Sequence, residues 1–152
     1  VERLALVASD SLEKHEPRML AVEALGETRD RSAVPALIPL LDDPDADLAA
    51  TTRTALTVIS RQDFGPSSQK WSAWWAANQE RHRLEWLIDA LMHEHAARRA
   101  SAGEELKHST KEYFGYYDDL PKRERERAQS RYRDWWNSVG RVRFSRASSS
   151  RS

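Results

Sequence analysis

Few residues in this chain have the type and spacing for chemistry. Ser67 and Lys70, within "DFGPSSQKW", form an S-x-x-K arrangement. Serine–lysine hydrolases use that spacing to bring an amine to a hydroxyl at a helix start. No companion motif follows, so the pair reads as a capping serine beside an exposed lysine. His93 and His95 in "MHEHAA" lie two residues apart, which turns them about 200° from each other on a helix. They could chelate a metal only with further ligands, and they read as polar turn residues. His15, His82 and His108 are scattered. The chain has no G-x-G-x-x-G, P-loop or G-x-S-x-G. Carboxylates are plentiful, but sequence distance alone cannot pair them into an acid/base dyad. The expectation is no catalytic residue, no metal ligand and no cofactor.

The basic groups carry more information. Net charge is zero, yet it is unevenly placed. Residues 1–80 hold 8 Lys/Arg against 13 Asp/Glu, and residues 81–152 hold 16 against 11. "PKRERERAQSRYRDWW" reads as a helix beginning near Pro121. Arg123, Arg127 and Arg131 follow one another at i, i+4 along a stripe, and Arg133 lies off it near the face of Trp135. Glu124 and Glu126 are expected to point elsewhere. These four arginines are the candidate contacts for an acidic partner. A salt-bridge-laced solvent face is the other reading of the same helix. The final segment, "RVRFSRASSSRS", has the composition of a basic disordered tail.

Aromatics cluster twice. Trp71, Trp74 and Trp75 are spaced i, i+3, i+4, and so are Tyr132, Trp135 and Trp136. Each triplet therefore shares one helix face. Phe64-Gly65 and Phe114-Gly115 precede them in equivalent places. Packing of an extra helix against its own helical pair explains this pattern, and so would a surface that stacks bases or lines a groove. The spacing predicts burial of Trp74 and Trp135.

The elements that hold these groups are repeated. Shifting the chain by fifty residues lays "AVPALIPLLDDPDADLAATTRTALTVISRQDFG" (33–65) on "RLEWLIDALMHEHAARRASAGEELKHSTKEYFG" (83–115) without a gap. Eleven extra residues in the second copy then restore Trp71, Trp74 and Trp75 to Tyr132, Trp135 and Trp136. A half unit, "RMLAVEALGETRD", echoes upstream. Apolar residues recur at helical spacing through Ala33, Leu37, Leu40 and Leu41. Asp30 or Ser32 can cap that helix, with Pro35 in its first turn. "DDPDAD" breaks the chain and caps a second helix, which Gly65-Pro66 stops. Ser67 or Ser68 then caps the tryptophan helix. Alternation over strand length is absent, so no sheet is assigned.

The stretch "AVPALIPLLDDPDADLAATTRTALTVI" resembles a bacterial HEAT-like repeat of the short kind named after phycobilisome lyases. The resemblance is best over residues 18–65. It implies an all-α helical-repeat solenoid of antiparallel helix pairs, here with extra Trp-rich helices. It carries no reaction. Proteins of this kind are mostly binding scaffolds, with a minority of nucleic-acid enzymes and chromophore lyases. The second copy departs from the pattern: Glu85 replaces Pro35, and "Gly103-Glu104-Glu105" replaces "Arg53-Thr54-Ala55". Such drift suits an outer repeat, or a place that bends or binds at Gly103.

The expected organisation is one repeat domain over 1–140 and a disordered tail over 141–152. The expected function is a non-catalytic protein–protein interaction or scaffold module. The alternatives are a nucleic-acid-binding repeat protein using the Arg-rich C-terminal helix, and an accessory domain of a larger enzyme. The chain has no cysteine and no apolar run long enough to span a bilayer. It begins at Val1, as a fragment or trimmed product would, and the cytoplasm is the favoured compartment.

Overall fold

A computed structural model describes residues 1–149, with side chains as far as Ser145. Among these residues every regular element is helical. The chain divides into two compact units, Val1–Arg81 and the residues from His82 onward.

The first unit holds α1 (Glu2–Ser9), α2 (His15–Thr28), α3 (Val34–Leu37), α4 (Ala46–Ser60) and α5 (Ser68–Asn78). Its core is aliphatic and fully buried at Val22, Leu25, Val34, Leu37, Leu48, Leu56 and Ile59. Helix α2 packs against both α1 and α4. Gly26 permits the second contact, since a Cβ there would stand 3.0 Å from the Cα of Ala55.

The first helix of the repeat is shorter than its apolar pattern suggests. It runs as a 3-10 turn (Arg31–Ala33), the four residues of α3, and a second 3-10 turn (Ile38–Asp42). Pro35 sits harmlessly at the start. Pro39 does not, because its nitrogen has no proton for the carbonyl one turn back, so the chain tightens. In the second unit the matching positions are Glu85 and Asp89, and α6 (Arg83–Ala90) is continuous.

The caps explain the other boundaries. Asp30 accepts from the amide of Ser32. Asp45 accepts from the amides of Asp47 and Leu48, fixing the start of α4. Ser67 accepts from the amide of Lys70 and starts α5. Helix α4 ends at Ser60, well before Gly65-Pro66, because Arg61 turns left-handed at φ 58°. Helix α1, which the sequence did not single out, completes the half unit by pairing with α2.

The second unit contains α6, α7 (Ala96–Thr110), α8 (Lys122–Trp135), a single π-helical turn (Trp136–Gly140) and α9 (Arg141–Ser149). Its core joins Leu84, Leu87, Ile88, Leu91 and Leu106 to Tyr116, Tyr132, Trp135 and Trp136. The π turn carries Gly140 beneath two indoles, where a Cβ would meet Trp135 and Trp136 atoms at 2.8 Å. From Arg141 the described residues form α9. Phe144 docks on the tryptophan cluster, and Arg143 donates to the Thr110 carbonyl at 3.2 Å. One apolar residue in a basic tail is enough to anchor it, and composition hides that. Residues 150–152 of that expected tail lie outside the described residues.

The fifty-residue match holds at the level of single side chains. Ser60 and Thr110 are both fully buried, and each donates to the carbonyl four residues back. Each then accepts from the amide two residues on. Arg61 and Lys111 both adopt left-handed backbone, as do Gly65 and Gly115. Phe64 meets Trp71 edge-on at 5.0 Å, and Phe114 meets Tyr132 edge-on at 4.8 Å.

Candidate interaction surface

The residues with reactive spacing serve the backbone. Ser67 Oγ is 3.2 Å from the Lys70 amide nitrogen as an N-cap, not paired with its amine. His93 Nδ1 accepts from the His95 amide at 3.0 Å, holding the turn before α7. His15 Nδ1 is hydrogen-bonded to the Asp45 carboxylate, and Asp47 lies close by. That bond raises the His15 pKa and lowers that of Asp45.

Among the described residues Arg18 and Glu105 are buried and ion-paired. Arg18 reaches across unit one, donating to the Ala8 carbonyl at 3.0 Å and to Asp43 at 2.8 Å. The Asp43 carboxyl is held below its ordinary range, first by the Asp45 amide and then by Arg18. In unit two Glu105 occupies the place where Ala55 stands in the first copy. It is buried against the guanidinium of Arg83. The departure from a small residue is thus matched by an arginine at the start of the same helix pair.

The aromatic triplets differ in depth. Trp71 is wholly buried, and its indole donates to the Gly65 carbonyl at 2.9 Å. Trp74, expected to be buried, is half-buried, as is Trp75. In the second unit Tyr132, Trp135 and Trp136 are all buried. The difference follows from Phe144 and Gly140, which close over the second triplet.

All four candidate arginines lie exposed on α8. Arg127 pairs with Glu124 at 2.8 Å, so that glutamate does not point away from the stripe. Arg133 pairs with Asp89 at 3.2 Å. Arg131 donates to the Phe114 carbonyl at 3.2 Å, which leaves its charge unmatched by a carboxylate. Arg123 also has no carboxylate partner among the described residues.

A different feature surrounds Gly103, which the sequence offered as a place that bends or binds. Between α7 and the loop that follows it lies a cleft of about 150 Å³, lined by Ala100, Gly103, Glu104, Lys107, Tyr113, Tyr116, Tyr117, Asp118 and Tyr132. Its floor is rigid. Tyr116 donates to the Leu91 carbonyl at 2.5 Å, and Tyr132 to the Glu112 carbonyl at 3.0 Å. Burial pushes each of these phenols up to about 12. Its outer wall is exposed: Tyr113 and Tyr117 keep 47% and 59% of their surface open. The Tyr113 phenol is raised by its hydrogen bond with Tyr117. The signal in the sequence was "EYFGYY" itself. Two of its tyrosines, Tyr116 and Tyr117, begin the eleven extra residues that the first copy lacks.

Residues 17–43, from the first turn of α2 to Asp43, match the family model described as PBS lyase HEAT-like repeat. No curated protein and no solved structure matches the chain. The chain thus carries a HEAT-like repeat over that stretch and is all-α among its described residues. Among the described residues no helix is long and apolar enough to cross a membrane.

Proposed function

We propose that the chain is a non-catalytic interaction module that binds another polypeptide. The observation that carries this is the open tyrosine cleft on a helical-repeat frame. Exposed tyrosines on a fixed backbone supply contact area with little rotamer entropy to lose, which is why they concentrate at binding interfaces. Leu6, Leu12 and Leu20, at 73%, 94% and 62% exposure, add apolar surface around α1 and α2. In this reading residues 1–140 form the module and α9 is an appendage to it.

A nucleic-acid partner is the second reading. Arg123 and Arg131 favour it, since their charge is not matched by a carboxylate. A role as accessory domain of a larger enzyme is the third, and the lyase in the family description belongs to that family's name only.

The test places a photo-crosslinking residue at Tyr117, and separately at Leu20, in the full chain. A saturable crosslink to one polypeptide, competed by unlabelled chain, is the expected result. Saturable crosslinks to nucleic acid alone, or to nothing, would overturn the reading.

A further inference from the structure

We infer that the tyrosine cleft of the second unit takes the cationic head of an arginine or lysine side chain presented by a partner polypeptide. This rests on the interaction-module reading and names the chemistry of its contact.

The walls have the right form. The rings of Tyr113 and Tyr117 stand 6.1 Å apart between centroids at an interplanar angle of 79°. Each ring has a negative face and a positive edge, so it is a ring face open to the cleft that attracts a cation. A cation already responds to this field. Lys107 Nζ lies 5.1 Å from the centroid of Tyr113.

The charges point the same way. Glu104 and Asp118 line the cleft, and neither forms an ion pair among the described residues. Glu104 precedes Lys107 by three positions on α7, a spacing that ordinarily pairs them. The ammonium instead sits over Tyr113, leaving both carboxylates available to a guest. Arg99 and Arg125 act on Tyr116 electrostatically, but their guanidinium groups are tied to backbone. Arg99 donates to the carbonyls of Asp118, His93 and Glu94, and Arg125 to that of Leu120. They hold the loop in place.

Size narrows the guest. About 150 Å³ is below the roughly 300–1,000 Å³ of cofactor-sized pockets and admits one side-chain head. The floor needs no rearrangement, because the Tyr116 and Tyr132 hydroxyls are already bonded to backbone carbonyls.

The experiment is an amide NMR titration of the full chain with three short Gly/Ser peptides that differ only in a central arginine, lysine or citrulline. Citrulline keeps the shape of arginine and removes its charge. The arginine and lysine peptides should shift Gly103, Tyr113 and Tyr117, and the citrulline peptide should bind at least tenfold more weakly. Tyr117→Ser should weaken arginine binding at least tenfold, and Glu104→Gln several-fold. Lys107→Met should strengthen it several-fold, because it removes the resident competitor. These residues are exposed or partly so, and an unchanged far-ultraviolet helical spectrum confirms that each variant is folded. Equal binding of citrulline, shifts confined to α8, or weaker binding by Lys107→Met would each overturn the inference. So would the absence of any shift. A polypeptide crosslinked at Leu20 while the peptides fail would leave the module reading intact and remove only the cationic guest. Peptide binding without any crosslinked polypeptide would do the reverse.

Discussion

Gly103 lies against the edge of the Tyr116 ring: a Cβ on that glycine would stand 2.9 Å from Cδ1 and 3.0 Å from Cε1. No side chain fits there unless the ring moves. A glycine inside a helix costs about 1 kcal/mol relative to alanine. Here that cost coincides with a tyrosine whose ring edge abuts α7 and whose hydroxyl is bonded to the Leu91 carbonyl. The drift of the second repeat at this position is therefore the making of the cleft floor.

Gly103→Ala should displace Tyr116 and reshape the cleft. Two opposed effects compete. Better helix propensity stabilises by about 1 kcal/mol, and overpacking costs about 1–3 kcal/mol. The contact is tighter than real Cβ atoms accept, so net destabilisation is expected. Urea unfolding followed by tyrosine near-ultraviolet signal measures it. A variant more stable than the parent would show that the ring shifts freely.

Trp71→Ala should destabilise unit one by about 3–5 kcal/mol, as for large buried aromatics. Trp74→Ala should cost clearly less, because Trp74 is only half-buried. The two variants are compared by chemical denaturation. Equal losses would mean that the face containing Trp74 is covered in solution.

These contrasts show what the sequence revealed and what it hid. The fifty-residue match carried through to the Ser60 and Thr110 bonds and to the left-handed Arg61 and Lys111, because helix-end chemistry is local. The i, i+3, i+4 spacing located the aromatic faces but not their depth. Depth depends on what covers a face, and Phe144 and Gly140 lie outside the triplet they cover. Likewise Pro39 broke a helix whose apolar period looked sound. The arginine stripe was legible as geometry, but the Arg127–Glu124 pairing depended on rotamers. The cleft appears only when an inserted loop folds back on α7, which no periodicity encodes.

Glu105→Leu should be strongly destabilising, by about 3–5 kcal/mol, because it leaves Arg83 largely buried without its carboxylate. Adding Arg83→Met should recover most of that loss, since an apolar pair of similar volume avoids the desolvation of two ions. Thermal melts of the single and double variants decide the matter. A double variant no better than the single would mean that Arg83 serves other contacts of equal weight.

The stability of unit one should depend on pH through His15 and Asp45. The His15 pKa is raised above 6.5, mainly by its bond to Asp45. Its contribution is therefore fully present below 6.5 and is lost as pH rises through the raised value. Asp45 is lowered from 3.8, first by His15 and then by the Leu48 amide, so its contribution is present above 3.8 and is lost as pH falls through the lowered value. Asp43 adds to the acid-side loss in the same way. Melting temperature against pH should thus be highest between these limits. His15→Gln should flatten the alkaline side and also weaken the acid side, because His15 is the first cause of the lowered Asp45 pKa. A profile unchanged by that substitution would show that the pair does not persist in solution.

The arginine stripe makes its own prediction about nucleic acid. Among the four candidate arginines of α8, two are matched by carboxylates, Arg127 by Glu124 and Arg133 by Asp89. Arg123 and Arg131 remain to meet phosphates. Each phosphate neutralised on duplex DNA contributes about −0.9 to the slope of log affinity against log salt. Two give about −1.8, and raising salt from about 50 to 200 mM should weaken binding about twelvefold. Four unpaired arginines would give about −3.6 and a loss of over a hundredfold. The expected result is weak binding at low salt, with the shallower slope and none at physiological salt. Arg123→Gln with Arg131→Gln should remove it, whereas Arg127→Gln should change little. Titration of labelled single-stranded and duplex DNA at several salt concentrations gives both numbers. A slope near −3.6 would bring all four candidate arginines into contact and favour the nucleic-acid reading over the polypeptide one.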